Sequence, residues 1–111
     1  MELDKETKEK IHELQILEQN FQNLVLQKQV FQSELSEVEN AHSEIVSSEG
    51  DVFKLIGQIM VKADKESLEK ELKRKKELLS LRLKSIEKQE SELVKKMEEM
   101  RDEITKKISN K

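Results

Sequence analysis

The fold is decided by one segment in the middle of the chain, which reads GDVFKLIGQIMVKAD over residues 50–64. It holds both glycines of the chain and is rich in the β-branched residues that strands favour. Gly57 and Gln58 can form a two-residue turn with glycine at its first central position. The segment therefore predicts a β-hairpin over residues 51–62.

Both faces of this predicted hairpin are mostly apolar. A turn at 57–58 places Ile56 opposite Ile59 and Leu55 opposite Met60. An isolated two-stranded ribbon is marginal in water and leaves hydrogen-bonding edges open, so we expect copies of the hairpin or a related chain to complete it. The residues predicted to form this assembly surface are Val52, Phe53, Leu55, Ile56, Gly57, Ile59, Met60 and Val61.

The segments on either side of the hairpin carry apolar residues at heptad spacing. Alternating steps of three and four residues from Leu14 to Ile45 meet an apolar residue at eight of ten positions, and steps from Leu72 to Ile104 do the same. Two seams of equal length predict an antiparallel coiled coil that folds back at the hairpin. One continuous helix is the alternative, and the connecting segment argues against it.

The helix boundaries agree with these seams. Asp4 and Asp64 can accept hydrogen bonds from the free N–H groups of a first helical turn, and Gly50 can end the first helix. We predict helices over about 5–48 and 65–109. The fold class is then mainly α, with a single domain spanning the chain from residue 1 to residue 111.

Polar residues interrupt the seams and commonly fix the register of a coiled coil. They are Lys28 in the first seam and Lys76 and Glu90 in the second. If the chain folds back at its turn, Leu83 and Ile86 lie level with Lys28. We therefore expect no acidic partner for this lysine.

The composition excludes several functions. The chain has 111 residues, 41% of them charged, with a net charge of −3 and no cysteine. A nucleic-acid binder needs a basic surplus, and thiolate zinc sites, disulfides and thiol catalysis need cysteine. No apolar run is long enough for a membrane span, and the first ten residues are too charged for a signal peptide. We expect a soluble cytoplasmic protein.

No catalytic constellation or cofactor motif is visible, so the chain is not expected to be an enzyme or to hold a cofactor or metal. His42 falls on a seam position and is interpreted as a polar spacer, while His12 has no candidate catalytic partners. The basic run at residues 73–76 could indicate a nucleic-acid patch. Glutamates at 66, 69, 71 and 77 surround it, which favours ion pairs along a helix surface.

The free ends of the two arms permit two interpretations. Their apolar residues are either the last core layers or, where terminal turns fray, an adaptable apolar surface for varied partners. The residues concerned are Leu3, Ile11, Met97, Met100, Ile104 and Ile108.

The hairpin together with both arms resembles prefoldin, specifically its beta class. The resemblance covers essentially the whole chain, and its most specific part is the hairpin. It is carried by VLQKQ at 25–29, DVFKLIG at 51–57, IMVK at 59–62 and IEKQE at 86–90. Gln58 stands where many relatives have proline. One hairpin rather than two distinguishes the beta class from the alpha class.

The resemblance implies an ATP-independent co-chaperone, a heterohexamer of two alpha-class and four beta-class subunits. Its hairpins would form a β-barrel platform, and its coiled-coil tips would hold non-native polypeptide for delivery to a group II chaperonin. The tip residues above would contact clients, and Lys106 or Lys107 could contribute to chaperonin docking. The alternative is a structural or tethering coiled coil that binds one folded partner.

Overall fold

The computed structural model describes residues 3–109, and its elements follow the predicted order. Helix α1 spans Lys5–Ser47, strand β1 Val52–Ile56, strand β2 Ile59–Ala63 and helix α2 Lys65–Ser109. The predicted fold class, two long helices joined by an antiparallel β-hairpin, is confirmed. The single domain over 1–111 includes residues outside the described range and stays a prediction.

Both helices begin at the predicted capping residues. Asp4 Oδ1 accepts a hydrogen bond of 2.7 Å from the backbone N–H of Thr7. Asp64 Oδ2 accepts bonds from the backbone N–H of Ser67 at 3.1 Å and from its hydroxyl at 2.8 Å. These side-chain and backbone hydrogen bonds lower the pKa of Asp64. Each carboxylate thus satisfies a first-turn donor that the helix leaves unpaired.

The end of α1 differs from the expectation that Gly50 would stop the helix. The helix ends at Ser47, where the N–H of Ser48 bonds to the carbonyl of Ile45 at 3.2 Å. The Ser48 carbonyl accepts a bond of 2.6 Å from Lys65 Nζ. Gly50 lies three residues beyond this end and does not adopt a positive φ, so the prediction that it ends the helix is wrong. A tightened last turn and a lysine satisfy these carbonyls instead.

The hairpin turn is as predicted. Gly57 has φ +63° and is the only described residue with a positive φ, so the turn takes glycine at its first central position. In the observed register Ile56 pairs with Ile59 and Leu55 with Met60. The predicted alternation of side chains between the two faces is therefore confirmed.

The chain divides into two compact units. One comprises Met1–Gln29 with Lys84–Lys111, and the other comprises Val30–Leu83. In the first, the buried apolar side chains are those of Ile86, Met97 and Ile104. In the second they are those of Val38, Val52, Leu68, Leu79 and Leu83. All the seam positions of α1 are buried or half-buried, and the exposed Lys76 is the exception in α2.

Lys28 has an acidic partner, which the sequence analysis did not expect. Its Nζ lies 3.2 Å from Oε1 of Glu90, so two of the polar seam residues pair with each other. The expectation was wrong because it compared backbone levels alone. Side chains on a helix lean toward its N-terminus. Glu90 lies about one turn closer to the free ends of the arms than the level of Lys28. In this antiparallel pair the two side chains therefore lean toward each other.

Within residues 3–109, no helix is both long and apolar enough to cross a membrane.

Candidate interaction surfaces

The hairpin exposes most of its apolar side chains. Six of the residues predicted to mediate assembly are between 44% and 68% exposed. They are Phe53, Leu55, Ile56, Ile59, Met60 and Val61. β-Branched residues and the tight turn hold these side chains in an extended ribbon of two strands, which leaves one unpaired edge on each strand among the described residues.

The exposed apolar residues lie on both faces of the ribbon. The strand alternation places Phe53, Leu55 and Met60 on one face, and Ile56 and Ile59 on the other. Apart from the open end of the Ile56 face, where Val52 is buried, neither face is covered within the described chain. A hydrophobic surface of this kind is typical of an interaction site.

Val52 departs from the predicted set. Its side chain is only 8% exposed and belongs to the core of the Val30–Leu83 unit. It lies where β1 begins, and alternation places it on the same face as Ile56. Residues near the open end of a hairpin are close to the segments that enter and leave it. Val52 thus packs within the chain and is not available for assembly.

Ion pairs fasten the hairpin to α2 and close its base. Lys54 Nζ lies 2.9 and 3.1 Å from the two carboxylate oxygens of Glu71, and Lys62 Nζ lies 3.6 Å from Asp51 Oδ2. The hydrogen bond and charge of Lys54 lower the pKa of Glu71. The contact between Lys54 and Glu71 could not be predicted from the sequence, because no heptad rule relates a strand residue to a helix residue.

The arm ends, which we term the tip segments, are residues 3–11 and 97–108. Of the residues named there for a client surface, Met97 and Ile104 are buried, which agrees with the interpretation that they are the last core layers. The heptad seam continues through them and gives each a packing partner. Leu3, Ile11 and Met100 are half-buried, and Ile108 is exposed.

Charge pairs bring the two tip segments together. Glu6 pairs with Lys107 across the helices and with Lys10 along α1, while Lys10 also lies 3.1 Å from Glu103. The hydrogen bond and charge of Lys107 lower the pKa of Glu6. Of the two lysines predicted to dock a chaperonin, Lys107 is thus engaged within the chain, and Lys106 is exposed.

Thr7 is the most deeply buried polar residue of the tip segments. Its side chain is 1% exposed, and its hydroxyl has no hydrogen-bond partner within the described part of the chain. Its seam position, recognisable from the heptad spacing, explains the burial. A buried hydroxyl without a partner is costly, so this layer is weaker than its apolar neighbours.

The basic run at residues 73–76 is fully exposed. The nearby glutamates were expected to neutralise it, but Glu66 pairs with Lys70 and Glu71 with Lys54. No ion pair within 4.0 Å is made by the run to any described residue. The predicted surface ion pairs are thus wrong for these four residues: two of the glutamates are paired elsewhere, and Glu69 and Glu77 make no ion pair within 4.0 Å among the described residues.

The two histidines lie as the heptad spacing predicts. His42 is half-buried in the seam, and His12 is exposed. No group of three or more metal-ligating side chains occurs among residues 3–109.

The chain, with its hairpin between two heptad seams, has relatives among known proteins. The chain matches the prefoldin subunit family over residues 8–111. The chain belongs to the prefoldin family. Prefoldin beta subunits of Saccharolobus islandicus, strains L.S.2.15 and M.14.25 among them, are 34% identical over 72 residues. That match covers 63% of this chain and spans 57% of the length of those relatives.

Solved prefoldin structures support the beta class. The prefoldin beta subunit from Thermococcus strain KS-1 is 34% identical and superposes with a TM-score of 0.87, covering 95% of this chain and 94% of that subunit. The beta2 subunit from the same strain, at 18% identity and a TM-score of 0.71, covers 80% of this chain and 97% of its own and shows the shared fold alone. The resemblance to beta-class prefoldin is confirmed.

Proposed function

We propose that the chain is a subunit of an ATP-independent prefoldin co-chaperone. It captures non-native polypeptides and delivers them to a group II chaperonin in the cytoplasm. The observation that carries this proposal is the hairpin, apolar on both faces and uncovered, in a chain that belongs to the prefoldin family.

The hairpin is the assembly element of this proposal. The exposed residues Phe53, Leu55, Ile56, Ile59 and Met60 pair with hairpins of other subunits and bury their faces in a shared β-barrel. Two alpha-class and four beta-class chains complete a hexamer. Burial of apolar surface drives the association, at about 25 cal/mol per Å² removed from water. The unpaired strand edges supply the hydrogen bonds that join one hairpin to the next.

Client contact is assigned to the tip segments. Their accessible apolar residues are Leu3, Ile11, Met100 and Ile108. Each offers a small contact, and an assembly that presents several tips sums weak contacts into useful avidity. Fraying of the terminal turns of both helices, aided by the unpaired hydroxyl of Thr7, adds the buried Ile104 to that surface.

Nucleotide and metal have no part in the proposed cycle. The sequence has no Gly-rich phosphate loop, and capture and release follow from weak contacts alone. Docking on the chaperonin is assigned to Lys106, which is exposed, with Lys107 contributing once its pair with Glu6 opens.

The assembly claim is tested with Ile59→Glu and its matched control, Leu81→Glu. Both side chains are about equally exposed, at 68% and 64%, but Leu81 lies on α2 outside the hairpin. Each variant is mixed with an alpha-class partner, and native mass spectrometry measures the complex. We expect Ile59→Glu to abolish the hexamer and Leu81→Glu to preserve it, with helicity unchanged in both. A hexamer that survives Ile59→Glu contradicts the assembly claim.

The holdase claim is tested by aggregation of unrelated denatured proteins in the presence of the assembled complex. Ile108→Ser, combined with Leu3→Ser, should reduce suppression while leaving the native mass unchanged. Added ATP should have no effect. Failure of the unaltered complex to suppress aggregation, together with tight binding of one folded partner, would favour a tethering coiled coil instead.

A further inference from the structure

One stretch of α1, from Gln15 to Gln29, exposes mostly uncharged side chains. Its charged residues are Glu18 and Lys28, which are ion-paired with α2 at 3.3 and 3.2 Å; 44% of the Glu18 side chain and 28% of the Lys28 side chain are exposed. The other exposed residues of the stretch are uncharged: seven are asparagine or glutamine, and the remaining two are Ile16 and Leu26. We term this exposed surface the carboxamide face.

The carboxamide face is unusual for this chain, 41% of which is charged. The outward positions of a coiled coil ordinarily carry charges that keep the helix solvated. On α2 in the same unit, most exposed positions are charged, as in Lys84, Glu87 and Lys88. Charged side chains on α1 would keep the helix solvated as well as the carboxamides do. The face therefore points to an uncharged partner.

A groove of about 330 Å³ lies beside the carboxamide face, within the same unit. This volume is in the range of ligand clefts. Carboxamide groups from both helices line it, together with two half-buried seam leucines. The residues concerned are Asn20, Asn23, Gln27, Gln89, Leu24 and Leu93, and one charge of each sign, on Glu92 and Lys96, completes the lining. The groove thus combines apolar contact with side chains that both donate and accept hydrogen bonds.

We infer that the carboxamide face and its groove bind the extended main chain of a non-native polypeptide. A carboxamide carries the same donor and acceptor groups as a peptide unit, so it can pair with main-chain N–H and C=O whatever the side chains of the client. The inference rests on the proposed holdase function and deepens it: the client is recognised by its exposed backbone as well as by its apolar residues.

Several properties of the face fit an extended polypeptide better than a neighbouring helix. A helix has its main-chain groups already paired and packs through a continuous apolar row. The face offers only Ile16 and Leu26, which are 15 Å apart along the axis at about 1.5 Å per residue. An extended chain spans that distance in four or five residues, at roughly 3.3 Å each. Because Glu18 is paired with Arg101 and the other exposed side chains are uncharged, the face does not discriminate between acidic and basic clients.

The test converts the face to a charged one without changing the net charge. The variant combines Gln15→Glu, Gln19→Lys, Gln22→Lys and Gln27→Glu, substitutions that keep helix propensity nearly constant. It is assembled with its partner subunits, and suppression of aggregation is measured with one acidic and one basic denatured protein. We expect about a fivefold higher concentration of complex to be needed for half suppression of both.

The matched control introduces the same charges on exposed α1 positions of the other unit. It combines Gln32→Glu, Ser33→Lys, Ser36→Lys and Asn40→Glu. Suppression by this control should equal that of the unaltered complex, with native mass and helicity unchanged in both variants.

Three results would overturn the inference: unchanged suppression by the face variant, an effect on only one of the two clients, or a loss of native mass. The last would make the face a contact between subunits. Failure of the unaltered complex to suppress aggregation would instead refute the proposed function itself.

Discussion

The ammonium group of Lys28 and the carboxylate of Glu90 form an ion pair inside an otherwise apolar seam, at 3.2 Å. Only 28% and 15% of their side-chain surfaces are exposed. Such a pair constrains the register, because a shift of either helix leaves a half-buried charge against apolar neighbours.

Reversing the charge of one member of this pair should destabilise the chain, and reversing both charges should restore its stability. Lys28→Glu places two half-buried carboxylates together, so we expect a loss of about 1–2 kcal/mol in the free energy of unfolding. Lys28→Glu with Glu90→Lys should recover most of that loss. Urea unfolding followed by helicity measures both, and a double variant as unstable as the single one would refute a specific pairing.

Two leucines on α2 should respond very differently to truncation. Leu79 is 3% exposed and Leu81 is 64% exposed. We expect Leu79→Ala to cost about 2–5 kcal/mol of unfolding free energy, because it leaves a cavity in the seam. Leu81→Ala should stay within about 0.5 kcal/mol of the unaltered chain. Equal effects in denaturant titrations would mean that the seam does not carry the stability.

The two glycines form a second matched pair. A Cβ at either position meets no atom within 4 Å, so only the backbone conformation distinguishes them. Gly57 has φ +63°, and we expect Gly57→Ala to destabilise the hairpin by about 1–3 kcal/mol. Gly50→Ala should be neutral or stabilising by about 0.4–1 kcal/mol. Thermal unfolding of the two variants side by side checks this ordering.

The cap of α2 should make stability depend on pH in the acid range. Hydrogen bonds from Ser67 lower the pKa of Asp64 in the folded chain. The stabilisation is therefore complete above the ordinary aspartate pKa and is lost as the pH falls below about 4 and through the folded-state value. Asp64→Asn keeps an acceptor but does not titrate.

The Tm advantage of the unaltered chain over Asp64→Asn should consequently be present at pH 7 and decrease as the pH falls below about 4. An advantage that is constant across this range would show that the carboxylate charge does not act at the cap.

The hairpin could be predicted in detail because its determinants are local. Glycine at the first central position selects the turn, and the turn then sets every pairing of the two strands, including that of Leu55 with Met60. Asp4 and Asp64 marked the helix starts for the same reason, since a cap needs only the three residues that follow it. The exposure of the assembly surface could be predicted because both faces of the ribbon carry more apolar residues than two strands alone can bury.

The tip segments were harder to predict because burial there depends on the partner helix. The heptad spacing assigns Met97 and Ile104 to the seam but does not say whether the last turns stay closed, and the structure buries both. The ion pair between Lys54 and Glu71 was equally hard to predict, because it depends on the orientation of the hairpin on α2. Such contacts join elements whose mutual placement no local rule supplies.

The exposed ribbon has a consequence for the cell. In the proposed assembly, a newly made subunit exposes an apolar segment with unpaired strand edges until it meets its partners, and such segments promote aggregation. The proposal therefore requires the subunits to be made in balanced amounts. A surplus copy would keep exposed the same apolar side chains that the complex buries, and those side chains would distinguish it from an assembled copy.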